Sequence, residues 1–299
     1  MKRLTVLTAT AALVLLVSGC GGASSSAQSS DGLSKVDTSA PLYDQLPAAV
    51  KKKDELVFAG DSHPPYRTVA ADGKTITGID PDLQAALSKQ LGVPIKITLA
   101  DDLPQMISGM QAGRYDAFNG PVSATSDRLA SFDGVEWLTS RTSYLVPADS
   151  DVDDTAGLCG TTTAGAKGSI TETQATLLST WCEKQGKSPV KFLGLADTNA
   201  TILAVKSGRA ESAATTQAGA LDVMRQQKSQ WRYVVQTNAQ GAGEDKLVLL
   251  TPKNLGMGEV MLKAFQAIFK DGEYAEIVKK YGLEDVAVDK PVLNPTVDQ

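Results

Sequence analysis

Histidine and cysteine are scarce in this sequence. The single histidine, His63, excludes a metal centre built from several histidines, and three cysteines cannot form a disulfide-rich scaffold. An excess of positive charge is also missing: the formal net charge of −5 disfavours nucleic-acid binding, which needs clustered lysine and arginine. With 42% hydrophobic and 21% charged residues, the 299 residues have the composition of a folded chain of about two domains. We expect neither a metal nor a cofactor.

The N-terminus has no apolar run long enough to span a bilayer comfortably. Lys2 and Arg3 precede an apolar stretch, residues 4–17, which has the length of a secretory signal peptide and falls short of the about 20 residues of a transmembrane helix. The stretch ends in Val17-Ser18-Gly19-Cys20, which resembles a bacterial lipobox. The resemblance implies cleavage before Cys20 and a lipid on its sulfur. An ordinary secretory signal with an incidental cysteine is the alternative.

The residues that follow predict a tether and then a folded body. Residues 21–34 are rich in Gly, Ser and Ala, a composition typical of a flexible linker. Leu42, Leu46 and Val50 recur at steps of four and predict a short leading helix. The body is therefore expected outside the cytoplasm, held at the cell membrane by a lipid, as a monomer.

Helices and strands alternate along the rest of the chain, which indicates an α/β fold. One helix is predicted to start at Asp80, a good N-cap residue, and to end at Gly92. One pattern then occurs in both halves: Gly113-Arg114-Tyr115-Asp116 and Gly208-Arg209-Ala210-Glu211 each follow a helical stripe and precede a buried strand. The repetition predicts two α/β lobes of one design.

In open α/β sheets a ligand lies beyond the carboxyl ends of strands, here near Asn119-Gly120 and Thr215-Thr216. Strands at 142–146 and 246–250 are expected to cross between the lobes as a hinge, and the last helices to pack on the first lobe. The predicted limits are a signal peptide (1–19), a lipid-anchored tether with the leading helix (20–53), lobe 1 (54–146 and 247–299) and lobe 2 (147–246).

Arg128 is the main candidate for binding an anion. It falls in the first turn of a helix predicted to start near Thr125, just after Gly120-Pro121-Val122-Ser123. A guanidinium can hold a carboxylate through two charge-assisted hydrogen bonds, and the helix start and a serine hydroxyl add donors. A capped surface helix whose arginine pairs with Asp127 or Asp133 is the alternative.

Other motifs carry less chemistry. Lys167-Gly168-Ser169 forms a second glycine turn before a predicted helix, but the sequence around it lacks the Gly-Lys-Ser/Thr of a nucleotide loop. No Gly-x-Ser-x-Gly elbow accompanies His63, which leaves catalysis without a recognisable motif. If Cys20 carries a lipid, Cys159 and Cys182 are the remaining pair, and an exported protein favours a disulfide between them.

In their order, several segments make the chain similar to the bacterial extracellular solute-binding proteins of family three, the polar amino-acid-binding class that serves ABC importers. The matching segments are Asp61-Ser62-His63-Pro64-Pro65-Tyr66, Gly78-Ile79-Asp80-Pro81-Asp82-Leu83, Gly113-Arg114-Tyr115-Asp116-Ala117, Ser123-Ala124-Thr125-Ser126-Asp127-Arg128, and Lys280-Tyr281-Gly282-Leu283. The resemblance runs from about Leu56 to Asn294. It implies a two-lobed, periplasmic-binding-protein-like fold of type II with a two-strand hinge, no catalysis, and an ABC permease as partner.

The resemblance also implies roles for individual residues. Arg128 would grip the ligand carboxylate, and His63 and Leu103 fall where the family sandwiches the ligand between aromatic rings. Thr216 stands where the family usually has an aspartate for the ligand's ammonium, a departure that predicts a best ligand other than ordinary Arg, Lys, His or Gln. The full implied set is Asp61, His63, Leu103, Gly120, Pro121, Ser123, Arg128, Lys167, Gly168, Ser169 and Thr216.

Two other functions remain open from the sequence. An exported enzyme on the same scaffold, similar to cyclohexadienyl dehydratase, would need an acid or base in the cleft, for which Asp61, His63 and Glu136 are the candidates. A receptor module that reports ligand occupancy to a separate sensor would need no such group.

Overall fold

The computed structural model describes residues 32–227 and 229–297. The predicted signal peptide, the lipobox and Cys20 lie outside the described residues. Within the described part, no helix combines the length and the hydrophobicity that crossing a membrane requires.

The described chain folds into alternating helices and strands. The helices are α1 (Ala48–Lys51), α2 (Ile79–Leu91), α3 (Leu103–Gln111), α4 (Ser126–Ser131), α5 (Ile170–Lys184), α6 (Thr198–Lys206), α7 (Gln217–Gln227), α8 (Gly258–Lys270) and α9 (Glu273–Lys280). The strands are β1 (Leu56–Gly60), β2 (Thr68–Val69), β3 (Ile76–Thr77), β4 (Ile95–Leu99), β5 (Ala117–Phe118), β6 (Phe132–Ser140), β7 (Thr142–Pro147), β8 (Thr162–Ala166), β9 (Lys191–Leu195), β10 (Ser212–Thr216), β11 (Trp231–Val235), β12 (Asp245–Pro252) and β13 (Ala287–Leu293).

Two mixed sheets form the centres of two lobes. The first has the strand order β13-β6-β12-β5-β1-β4 and the second the order β11-β7-β10-β8-β9, while β2 and β3 form a separate hairpin. Strand β1 runs parallel to β4 and β5, and β8 runs parallel to β9 and β10. The two-lobed α/β fold predicted from the sequence is confirmed.

The chain crosses between the sheets at Arg141, which alone separates β6 in the first sheet from β7 in the second. It returns before Asp245, which already pairs with Ser140 in the first sheet. The limits expected from the sequence, at 146 and 247, therefore differ from the observed crossings. The reason is physical: a one-residue connection between two buried strands carries no turn signal, so the sequence pattern does not show where one sheet ends.

The leading segment belongs to the first lobe. Leu42, Leu46 and Val50 are buried in the core formed with α2, α8 and α9, so the final helices also pack on this lobe as expected. The single helix predicted here is instead a 3-10 turn (Tyr43–Gln45) followed by α1, because Pro47 between them lacks the N–H that a continuous helix needs.

The repeated sequence pattern is a capping device present once in each lobe. Gly113 and Gly208 take left-handed φ angles of 73° and 72° at the ends of α3 and α6. Three residues on, the Asp116 carboxylate accepts a hydrogen bond from Val57 N (2.9 Å) and the Glu211 carboxylate accepts one from Thr162 N (2.7 Å). Each acid thus satisfies the start of the neighbouring strand, which explains why both halves need an acid at this position.

The predicted disulfide between Cys159 and Cys182 is confirmed. It joins the turn after Thr155–Leu158 to α5, and Cys182 is fully buried in the core of the second lobe.

Removing this disulfide should destabilise the second lobe without abolishing ligand binding. The bridge closes a loop with a sequence separation of 23 residues, for which the chain-entropy model gives a contribution of about 3 kcal/mol. Urea unfolding of the Cys159→Ala/Cys182→Ala variant should show this loss of unfolding free energy. An unchanged unfolding midpoint would contradict the prediction.

Candidate ligand-binding site

The loops at the carboxyl ends of parallel strands face each other across the two lobes. In the first lobe Asp61 follows β1, and Asn119 and Gly120 follow β5. In the second lobe Lys167–Ser169 follow β8 and Thr216 ends β10. Since β1 and β5 are neighbours, as are β8 and β10, each pair of loops meets at one edge of its sheet.

Direct hydrogen bonds connect the lobes around this cleft. The Arg128 guanidinium donates to the carbonyl oxygen of Gly168 (3.0 Å), and the Asn199 amide donates to the Ser62 hydroxyl (2.8 Å). Nearer the crossing strands, Gln217 N donates to the Ser140 hydroxyl (3.2 Å). The lobes are therefore in contact with each other.

Arg128 occupies the position that the sequence predicts for an anion-binding group. Helix α4 begins after Thr125, whose hydroxyl caps Arg128 N, and the Arg128 guanidinium also donates to Ser123 O (2.8 Å). Within the described residues it forms an ion pair with neither Asp127 nor Asp133, so the alternative of a simple surface pair is not observed. Burial lowers the pKa of Arg128.

Arg67 is one residue of the cleft that sequence reasoning missed. Its side chain is fully buried, forms ion pairs with Asp61 and Asp80, and donates to the carbonyl oxygens of Asp61 (2.9 Å) and Asn119 (2.7 Å). The loops after β1 and β5 are thereby held together. No local pattern in the sequence distinguishes a buried arginine from an exposed one, so the role of Arg67 could not be predicted from the residues around it.

Asp80 consequently has a different role from the predicted one. Gly78 is the residue that precedes α2, and Asp80 lies within the first turn, fully buried against Arg67. Glycine is required at 78 because φ is 139° and an added Cβ would lie 2.2 Å from Tyr66 O. Burial raises the pKa of Asp80 to about 7, whereas for Asp61 the attraction of Arg67 outweighs burial and the pKa falls.

His63 is a buried, neutral side chain beside the Asp61 loop. Its ring lies edge-on to Tyr66, with 5.5 Å between centroids, and Tyr66 in turn lies edge-on to Trp137 at 6.2 Å. Burial lowers the pKa of His63 to about 4, although Asp61 acts in the opposite direction. Its Nε2 atom has no hydrogen-bond partner among the described residues.

Several further buried polar atoms on the segments that border the cleft lack a partner within the described chain. They are Ser123 Oγ, Asn119 Oδ1, Thr142 Oγ1, Thr215 Oγ1 and Gln174 Oε1. Buried polar atoms in native proteins are nearly always hydrogen-bonded, so such a group calls for an explanation. A small polar ligand bound between the facing segments would provide hydrogen-bond partners for these atoms.

Contact with a ligand stays a prediction for every residue of the predicted set, and the remaining members have defined positions. Leu103 begins α3 and is half-buried, as is Pro121, and Lys167 is exposed. The Ser169 hydroxyl donates to Ala166 O (2.7 Å), and the Thr216 hydroxyl accepts from Gly219 N (3.1 Å). The last two hydroxyls therefore serve their own turns.

Two glycines of the set are required by close approaches. A Cβ on Gly120, where φ is 158°, would lie 2.6 Å from Arg67 Nη1. A Cβ on Gly168, where φ is 71°, would lie 3.0 Å from Pro104 in the opposite lobe. Larger residues at these positions would disturb the Arg67 cluster or the closed arrangement of the lobes.

Asp245 is a second cleft residue that sequence reasoning did not identify. It begins β12 beside the crossing point, is buried, and accepts a hydrogen bond from the Gln174 amide (2.9 Å) of the second lobe. Burial raises its pKa to about 7, and the charges of Arg128 and Arg141 act against this rise.

The candidates for catalysis do not converge. The charges that act on Glu136 are those of Lys246 and Glu244, and burial raises its pKa. Asp61 and His63 are neighbours, but Asp61 is paired with Arg67. The described residues contain no group of three or more histidine, cysteine or acidic side chains placed to hold a metal ion.

Comparison with known proteins defines the family. The model of the bacterial extracellular solute-binding proteins, family 3, matches residues 56–284, and the chain belongs to this family. The arginine-binding protein ArgT of Corynebacterium glutamicum is 25% identical over 254 residues, which cover 83% of this chain and 81% of the relative.

Solved structures share the fold. The substrate-binding protein of an amino acid ABC transporter superposes with a TM-score of 0.66 at 23% identity, covering 76% of this chain and 98% of that one. The ancestral amino acid-binding protein AncCDT-1, a precursor of cyclohexadienyl dehydratase, gives a TM-score of 0.65 at 21% identity, with coverages of 78% and 97%.

The buried state of His63 predicts a measurable dependence of stability on pH. In the unfolded chain His63 is protonated below its ordinary pKa of 6.5, but in the folded protein only below about 4. The folded state therefore binds fewer protons in this window, and this residue makes stability fall as the pH is lowered from 6.5 towards 4. Asp80 and Asp245, with raised pKa values, act in the opposite direction, so a difference between variants is needed.

His63→Asn should lose less unfolding free energy than the unaltered protein when the pH is lowered from about 7 to about 5, by up to about 2 kcal/mol. Urea unfolding of the ligand-free proteins at both pH values measures the difference. Equal losses of unfolding free energy in the two proteins would show that folding does not lower the pKa of His63.

Proposed function

We propose that this protein captures an α-amino acid between its two lobes and delivers it to the permease of an ABC importer. The observation that carries the proposal is the position of Arg128, which reaches from the first lobe to Gly168 O in the second amid buried polar atoms that have no partner in the described chain. Membership of the solute-binding family supports the same reading, since ligands of two-lobed proteins bind between the lobes.

The guanidinium of Arg128 is suited to a carboxylate. Two of its donors are used by Ser123 O and Gly168 O, which fix the plane of the group. A guanidinium carries five N–H donors, so others remain for a charge-assisted pair with a ligand. Because Ser123 O belongs to the first lobe and Gly168 O to the second, the guanidinium of Arg128 is oriented by both lobes together.

The charges around the cleft favour a ligand with a positive group. Arg67 and Arg128 are accompanied by three carboxyl groups, those of Asp61, Asp80 and Asp245. The carboxyl groups outnumber the guanidinium groups by one, and burial raises the pKa of Asp80 and of Asp245 because it disfavours their charged forms. A cationic amino acid would supply the missing charge, and the name of the ArgT relative makes L-arginine the first ligand to test.

The expectation against ordinary polar amino acids depended on Thr216, which brings a hydroxyl and no charge. Asp61, Asp80 and Asp245 provide carboxyl groups elsewhere in the cleft, so a threonine at position 216 does not exclude a ligand with an ammonium group. L-Arginine is therefore among the ligands to be tested.

We further propose that the protein acts outside the cytoplasm, anchored through a lipid on Cys20 after removal of residues 1–19. The lipobox-like Val17-Ser18-Gly19-Cys20 and the Gly/Ser-rich residues 21–34 support this anchoring. Labelling with a radioactive fatty acid in a bacterial host should mark the protein, and Cys20→Ala should abolish the label.

Catalysis is the second candidate because a precursor of cyclohexadienyl dehydratase shares the scaffold. The described cleft does not favour it. A histidine with a pKa of about 4 is a weak base and is unprotonated at neutral pH, so His63 cannot act there as a general acid. We expect mass spectrometry to show no protein-dependent conversion of L-arginine or of a cyclohexadienyl carboxylate during prolonged incubation; a product whose amount scales with protein concentration would favour the enzyme.

Arg128→Gln should weaken binding of L-arginine by about 30-fold or more, since truncating one partner of a buried charge pair costs about 2–5 kcal/mol. Isothermal titration calorimetry gives the dissociation constants. Arg114→Gln is the matched control, because Arg114 is an exposed arginine of the same lobe that stacks on Tyr115. Equal affinities of the Arg128 and Arg114 variants would refute the assignment.

A further inference from the structure

An amino acid that binds Arg128 through its carboxylate brings its α-ammonium close to the same place, since both groups are bonded to one carbon. A buried ammonium needs an anionic partner, because removing a charge from water without compensation is costly. The partner must therefore be a carboxylate near Arg128.

Most acids of the cleft region are already engaged or exposed. Asp61 and Asp80 both form ion pairs with Arg67. Glu172 is half-buried and its carboxylate already accepts a hydrogen bond from Gly168 N (2.7 Å), and Glu244 is exposed. Thr216 has no charge, and its hydroxyl accepts from Gly219 N.

Asp245 meets the requirements. It is buried, it lies close enough to Arg128 for each to shift the pKa of the other, and it forms no ion pair with any described residue. The main chain places it between the two sides of the cleft. Ala124 N donates to Lys246 O (2.8 Å), which brings the Ser123 segment beside Asp245.

Residues of the second lobe also lie near Asp245. Asp245 pairs in register with Ser140, whose hydroxyl accepts from Gln217 N, and Thr216 pairs with Thr142 across the next strands. Asp245 therefore lies near the end of β10.

Gln174 supplies an independent observation. Its amide nitrogen donates to Asp245 Oδ1 (2.9 Å), while its own oxygen, Oε1, is buried and has no hydrogen-bond partner in the described part of the chain. A carboxylate thus lies beside an unused amide acceptor. An ammonium, with three donors and no acceptor, matches this pair of groups.

We infer that Asp245, supported by Gln174 Oε1, binds the α-ammonium of the ligand and selects amino acids over carboxylates that lack the amine. The inference rests on the proposed function. The group that would bind the ammonium then lies at the start of β12, in the first sheet, and not at the end of β10.

The test compares two ligands and two variants by isothermal titration calorimetry. The ligands are L-arginine and 5-guanidinopentanoate, which is arginine without its α-amino group. Asp245→Asn keeps the size of the side chain and an oxygen for the Gln174 amide but removes the charge. It should weaken L-arginine binding by about 30-fold or more and change 5-guanidinopentanoate binding by less than about threefold.

Glu244→Gln is the matched control, since it removes the neighbouring charge from an exposed side chain; it should leave both affinities within about threefold. Thermal unfolding verifies that each variant is folded, and Asp245→Ser replaces Asp245→Asn if the latter does not fold.

Undiminished L-arginine binding by the Asp245 variant, or an equal loss for both ligands, would overturn the inference while leaving the proposed function intact. If the unaltered protein binds another standard amino acid more tightly than L-arginine, the test uses that amino acid and its analogue without the α-amino group instead of L-arginine and 5-guanidinopentanoate. If it binds none of the standard amino acids, the proposed function and the inference both fail.

Discussion

The buried guanidinium of Arg67 is the interaction on which the first-lobe half of the cleft depends. It is fully enclosed, paired with Asp61 and Asp80, and bonded to carbonyl oxygens of Asp61 and Asn119. A buried charge is tolerated only when it is paired and hydrogen-bonded, so these loops are bound to one arrangement around it. The same guanidinium leaves no space for a side chain at Gly120.

The second constraint is the crossing between the lobes. A single residue, Arg141, connects two strands of different sheets, and Asp245 begins the strand that returns. Arg128, Asp245 and Gln174 come from the first lobe, the crossing and the second lobe. Gln174 donates to Asp245, and Ser123, whose carbonyl accepts from Arg128, is bridged to Leu247 two residues after Asp245. A ligand bound to such a group would stabilise the closed form, because it would contact both lobes at once.

Much of the fold could be predicted from the sequence because local signals were strong. The glycine caps at 113 and 208, with an acid three residues later, gave the two matched units, and the structure shows why the acids are needed. The disulfide followed from cysteine number and compartment. The helix expected over 42–50 was interrupted because the effect of Pro47 outweighs the leucine spacing.

The site was predicted less completely. Recognisable sequence motifs contain Arg128, His63 and Asp61, but no such motif contains Arg67 or Asp245. The importance of these two residues arises from burial and from partners distant in the chain: Asn119 lies 52 residues from Arg67, and Gln174 lies 71 residues from Asp245. No window of sequence contains such a pair, so neither could be recognised before the fold was known.

The central claim is that an α-amino acid binds between the lobes with its carboxylate on Arg128. A crystal structure of the protein grown with L-arginine tests it most directly. The ligand should be enclosed by both lobes, with a carboxylate oxygen within about 3 Å of the Arg128 guanidinium. A ligand bound outside the cleft, or one whose carboxylate points away from Arg128, would contradict it.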